Sequence, residues 1–115
     1  MKTRRLEPDI TVAEIAGRLS LGNTLLSIEN TLKRLIDEGS RRMVIDLTGL
    51  NSVDSSGIGM LVSCFAHMEQ KSGHFRVAGA AGSVSKVFDT VHLDRIVPMD
   101  ADVEAACRAL PSLSA

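Results

Sequence analysis

At 115 residues the chain has the size of one domain, long enough to build a hydrophobic core without disulfide or metal staples. Its 13 Lys and Arg nearly balance 14 Asp and Glu, and it has no Trp, no Tyr and only three Phe. A formal net charge of −1 with so few aromatics argues against the basic footprint and the stacking platforms of direct DNA or RNA binding.

Lys2, Arg4 and Arg5 would suit the start of a signal peptide, but Glu7, Pro8 and Asp9 stand where its apolar region would have to be. The pieces Arg4 to Leu6 and Ile10 to Ile15, split by Pro8-Asp9, predict an antiparallel pair near one sheet edge. Ile10 and Val12 point one way and Ile15 the other, which predicts a twist or bulge there. Gly17 to Asn23 reads as a loop loosened by glycines, with Ser20 or Asn23 available to cap the next helix. That helix is predicted over residues 22 to 38 from the stripe Leu25, Ile28, Leu32, Leu35 and Ile36, and Gly39 ends it.

Met43, Val44, Ile45 and Leu47 surround Asp46 in a run too short for a helix and too continuously apolar for a strand with a wet face. It reads as a central parallel strand. Ile58, Leu61, Val62, Phe65 and Met68 then recur at helical spacing in a helix that stops near Gly73. The stretch from Ile58 to Met68 is far below the roughly 18 residues of a membrane span. The expectation is a soluble, cytoplasmic protein with no membrane insertion.

Phe75 and Val77 alternate with polar neighbours as a fourth strand, and Gly79 to Gly82 is a turn. Ser83 is placed to cap a short helix with Val84, Val87, Phe88 and Val91 on one face. Ile96-Val97-Pro98 reads as a final edge strand, where proline is tolerated. Val103, Ala106, Cys107 and Leu110 stripe a last helix from about Asp100, and Pro111 to Ala115 reads as a frayed tail. Alternating strand and helix patterns with short connections imply right-handed βαβ units. The predicted fold class is α/β: one domain over residues 1–115, with a mixed sheet of four to five strands and about four helices packed mainly on one face.

Catalysis finds no support. A hydrolase elbow reads Gly-x-Ser-x-Gly, whereas Asp54 precedes the paired serines and no glycine stands two before either. Nothing in the sequence brings His67, His74 or His92 to those serines. Ser83-Val84-Ser85-Lys86 lacks the companion motifs of a Ser-x-x-Lys enzyme. Cys64 and His67 share a core helix without a second cysteine near, so no metal site is assigned. Gly57-Ile58-Gly59 is too short for a dinucleotide fingerprint, and no cofactor is assigned. Cys64 and Cys107 read as buried small apolar groups without a disulfide, in a reducing compartment.

One corner remains: Asp54-Ser55-Ser56-Gly57, between the central strand and the helix from Ile58. Asp54 or either serine can accept a hydrogen bond from the first helical turn, which makes the corner an N-cap. Equally, a hydroxyl exposed at a helix N-terminus sits where amides and dipole tolerate a phosphate. The glycines allow close approach of another surface, either the sheet or a partner protein. In the second case Gly57→Val is expected to damage partner binding more than stability.

Strand, Asp-Ser-Ser-Gly-Ile-Gly and amphipathic helix in this order resemble the signature of the STAS domain, the fold of bacterial anti-sigma factor antagonists. The resemblance spans nearly the whole chain. It implies that Ser55 is the residue phosphorylated by a partner anti-sigma factor serine kinase, and that Asp54, Ser55, Ser56, Gly57, Ile58 and Gly59 meet that partner. It further implies release of a sigma factor while Ser55 is unmodified, and recovery through a PP2C-type phosphatase. ATP and its metal would belong to the kinase. The loop Gly17-Arg18-Leu19-Ser20 departs from the Gly-x-Leu-Asp of the best known antagonists at its fourth residue, Ser20. The alternative within the same resemblance is a STAS interaction subunit without a phosphorylation cycle, as in lipid-transport, anion-transporter or stress-sensing assemblies.

Overall fold

The computed structural model describes residues 1–111; the rest of the tail expected over 111–115 lies outside the described residues. The elements run β1 Lys2–Leu6, β2 Ile10–Glu14, β3 Gly17–Leu19, α1 Asn23–Asp37, β4 Arg42–Asp46, β5 Leu50–Val53 and α2 Ser55–Gln70. They continue with β6 His74–Ala78, α3 Gly82–Thr90, a 3-10 turn Leu93–Arg95, β7 Met99–Asp100 and α4 Val103–Ala109. A five-stranded sheet has the order β1-β2-β4-β6-β7, antiparallel between β1 and β2 and parallel elsewhere.

Burial of both faces explains the continuous apolar run of β4. Met43 and Ile45 join the main core with Leu32 and Ile36 of α1, Leu61 and Met68 of α2, and Val84 and Phe88 of α3. Val44 faces the other way, into a smaller cluster with Ile10, Val12, Ala106 and Leu110 under α4. Three helices therefore cover one face and the short α4 covers part of the other. The split of Ile10 and Val12 from Ile15 has the same origin: β2 buries both sides, and its pairing with β1 runs unbroken from Lys2↔Glu14 to Leu6↔Ile10. Of the twist or bulge expected in this stretch, β2 shows no break in its pairing with β1; the register shift falls further on, between Gly17 and Arg18 of β3.

Several local expectations need correction. Gly17–Leu19 is a strand, not a loop, and it pairs in parallel with β5, which lies in the stretch read as a connection. Neither Ser20 nor Asn23 caps α1; its N-cap is Gly22, at φ +154 and without a side-chain bond. The C-terminus of α1 does follow the glycine signal: Gly39, at φ +119, donates to Ile36 O at 3.1 Å while Ser40 N donates to Leu35 O at 3.0 Å. Ser83 is not the cap of α3 but lies within it, its hydroxyl donating to Asn51 O at 3.3 Å, and the N-cap is Ala81. Val91, expected on the buried face, is exposed.

Ile96 to Pro98 is not a strand. Val97 is buried and Ile96 exposed after the 3-10 turn, and pairing begins where the Pro98 carbonyl accepts from Val77 N at 2.9 Å. The edge strand is β7, one step later, and it holds Asp100 against Arg76 through two guanidinium bonds of 2.6 and 3.3 Å. Helix α4 accordingly starts after Asp102, whose Oδ1 accepts from Ala105 N at 2.8 Å.

Candidate functional site

The β3–β5 pair builds the corner. Leu19 and Val53 are register partners, so the chain leaving β3 and the chain entering α2 emerge side by side. Asp54 N donates to Leu19 O at 3.2 Å, and Asp54 itself is extended, at φ −110, as the N-cap of α2. Its carboxylate is divided between two segments: Oδ1 accepts from Gly57 N at 2.9 Å and Oδ2 from Leu21 N at 3.0 Å. These amides, that of Gly57 first, hold the Asp54 carboxyl below the usual carboxylate range. Of the three residues that could have capped the helix, Asp54 does so.

Ser55 is therefore released from capping. It is the first residue of α2, it is exposed, and its hydroxyl makes no hydrogen bond among the described residues. Ser56 and Ile58 are half-buried, with Ile58 packed on the main core.

The two glycines have opposite surroundings. Gly57 is buried, and a Cβ there would collide with Leu19 O and come within 2.8 Å of Val53 Cγ2 and 3.0 Å of Leu19 Cγ. Gly59 is exposed, with no atom within 4 Å of the same point. Close approach at Gly57 is thus made by the chain's own β3. Of the six neighbouring residues Asp54 to Gly59, only Ser55 and Gly59 are exposed.

Leu21 belongs to the corner and was not read from the sequence as part of it. Its amide is tied to Asp54, and its side chain is 76% exposed. No local pattern signalled it: period two would place Leu21 on the buried face of Leu19, but β3 ends at Leu19. Ser20 sits between them, half-buried.

The histidines are not brought to Ser55. His67 lies twelve residues further along α2, about 18 Å at helical rise, where Nε2 is 2.7 Å from Asp37 Oδ1 of α1. His74 opens β6, and His92 is exposed beyond α3, as the N-cap of the 3-10 turn. No cluster of metal-ligating side chains occurs among the described residues. Cys64 is buried 3.7 Å from Met60 Sδ, and burial pushes its thiol up to about 12. Cys107 is half-buried rather than buried, and both cysteines are free. Among the described residues no helix is long and apolar enough to cross a membrane.

The family model described as the STAS domain matches residues 3–106. Among solved structures, a candidate anti-sigma factor antagonist of Thermotoga maritima superposes with a TM-score of 0.85 at 19% identity, over 95% of this chain and 92% of that one. Phosphorylated SpoIIAA, the Bacillus cell fate determinant, gives 0.72 at 19%, over 93% and 96%. The STAS domain of a Vibrio cholerae SulP transporter gives 0.73 at 16%, over 90% and 82%. At such identities the likeness speaks for the fold, and the family match supplies the rest: the chain belongs to the STAS domain family, a regulatory and non-catalytic class of domain.

Proposed function

We propose that the chain is an anti-sigma factor antagonist that works as a phosphorylation-controlled partner switch. Unmodified, it binds an anti-sigma factor serine kinase and so frees a sigma factor for transcription. The kinase phosphorylates Ser55 and the complex ends; a PP2C-type phosphatase removes the phosphate. The observation that carries this reading is the division of labour at the corner. Asp54 takes the capping role, so Ser55 stands exposed with an uncommitted hydroxyl at the N-terminus of a 16-residue helix. Such a position accepts a phosphate without disturbing the fold. SpoIIAA, of the same fold, is known in phosphorylated and unphosphorylated forms.

Mass spectrometry after incubation with the cognate kinase and ATP tests the assignment. The phosphate is expected on Ser55 and is expected to be lost in Ser55→Ala. Phosphate confined to Ser56, or Ser55→Ala still modified, would sink it.

One residue favours a second reading. Ser20 replaces the aspartate that the resemblance places beside the acceptor. Without that carboxylate the chain would act as a STAS interaction subunit with no phosphorylation cycle. Stable binding of the kinase-family partner without any phosphate transfer would be its mark.

A further inference from the structure

We propose that Leu21 is the apolar anchor through which the kinase partner engages the chain beside Ser55; this rests on the reading of Ser55 as acceptor. Leu21 is 76% exposed, against 54% for Leu26 and 51% for Ile96, the next most exposed large apolar side chains among the described residues. It belongs to neither core cluster.

Its backbone, in contrast, is fixed on both sides. Leu19 is buried and its carbonyl accepts from Asp54 N, the Leu21 amide donates to Asp54 Oδ2, and Gly22 turns at φ +154 into the N-cap of α1. A large side chain displayed from a fixed backbone loses little freedom on binding, which is the condition for an efficient interface anchor.

Position decides what covers it. One carboxylate, that of Asp54, binds the Leu21 amide at 3.0 Å and caps the turn that begins with Ser55. A typical interface buries about 800 Å² per partner, a disc of roughly 16 Å radius. A kinase seated to deliver phosphate to Ser55 therefore covers Leu21 as well. The matching partner feature is an apolar pocket, sized for one aliphatic side chain, at the rim of the kinase's ATP site.

The test compares Leu21→Ser with Ile96→Ser, an exposed apolar control between the 3-10 turn and β7, using the purified cognate anti-sigma factor kinase. Calorimetric titration is expected to show Kd raised about tenfold or more for Leu21→Ser, near the transfer value of an exposed leucine, and unchanged for Ile96→Ser. Phosphorylation kinetics are expected to show KM raised with kcat unchanged, the mark of binding lost equally from ground and transition states. Wild-type Kd and KM in Leu21→Ser, or an equal loss in Ile96→Ser, overturn the inference and leave the Ser55 reading standing. Failure of the unmodified wild type to bind or be phosphorylated overturns both.

Discussion

Gly57 and Gly59 lie two residues apart in α2, and replacing each by alanine is expected to move stability in opposite directions. At Gly57 the new methyl meets the Leu19 carbonyl oxygen, Val53 Cγ2 and Leu19 Cγ. The first is backbone and already accepts from Asp54 N, so it can retreat only by loosening the β3–β5 pair. Overpacking of this kind costs about 1–3 kcal/mol, and replacing a helical glycine returns at most about 1 kcal/mol. With three contacts to relieve, one of them backbone, the cost lies in the upper part of that range, about 2–3 kcal/mol, so the net loss is about 1–2 kcal/mol, or roughly 4–8 °C in Tm for a domain of this size.

At Gly59 nothing lies within 4 Å of the methyl and the backbone is helical, so only the propensity gain remains. A rise of up to about 1 kcal/mol is expected. Thermal and urea unfolding followed by circular dichroism, with equal m values, measure both. A Gly57→Ala protein as stable as wild type, or a Gly59→Ala protein destabilised alongside it, refutes the packing argument. Gly57→Val brings a bulkier side chain to the same wall and should lose more than alanine. The damage at this position falls on stability first, contrary to what its place in the motif suggests.

Asp54→Asn keeps the shape of the cap but neither its charge nor its second acceptor, since Nδ2 cannot accept from a backbone amide. Because the folded carboxyl is held below its unfolded value, its contribution is complete above about pH 3.9 and is lost as pH falls through the depressed folded value. The urea-midpoint gap between wild type and Asp54→Asn should thus close toward pH 2, and a gap constant from pH 7 to pH 2 would contradict this. Ser63→Ala removes a hydroxyl of α2 that accepts from Lys33 Nζ at 2.7 Å and donates to Glu29 Oε2 at 3.2 Å on α1. A loss of about 1 kcal/mol in urea unfolding is expected, and none at all would mean the contact is solvated. Ser55→Asp should bind the anti-sigma factor kinase with an affinity between those of the unmodified and phosphorylated proteins, at wild-type Tm; equal affinities in titration would reduce the corner to a helix cap.

What could be read in the sequence was whatever local pattern determines. The unbroken apolar run at Met43 to Ile45 implied two covered faces, and the stripes of α1 and α2 implied their buried sides. Gly39 was legible because a left-handed residue after a helix needs a glycine. The pair β3–β5 was not legible. Gly17–Leu19 and Leu50–Val53 are three and four residues long, and each becomes a strand only by meeting the other across some thirty residues.

Serine propensity misled at Ser20 and Ser83 because capping depends on backbone direction. Gly22 and Ala81 take those caps without any side-chain bond. At Ile96-Val97-Pro98 the pattern was right about apolarity and wrong about its use, since Val97 goes into the core and the ladder starts at the Pro98 carbonyl. In the corner itself, Asp54 was among the possible caps, but its second bond to Leu21 depends on β3 and could not be foreseen. Gly57 and Gly59 look alike as letters; only the position of Leu19 separates them.

The energetics of the corner indicate where a switch at Ser55 would have to act. A phosphate adds about −1.5 to −2 charges, and near the N-terminus of α2 the helix dipole makes that favourable by about 0.3–1 kcal/mol. The Gly57 amide is already taken by Asp54, so the phosphate gains it only by displacing a carboxylate that also holds Leu21. Internal effects are therefore small and partly cancel. Driving a complex from about 99% to 1% bound takes roughly 5.5 kcal/mol, several times more. The difference must arise in the interface, where the new charge stands beside the ionised Asp54 and has to be desolvated or opposed by the partner's own charges. If Ser55 is the acceptor, the buried side of the turn, with Gly57 against Leu19, would stay as it is, and the outward side alone would change what a partner meets.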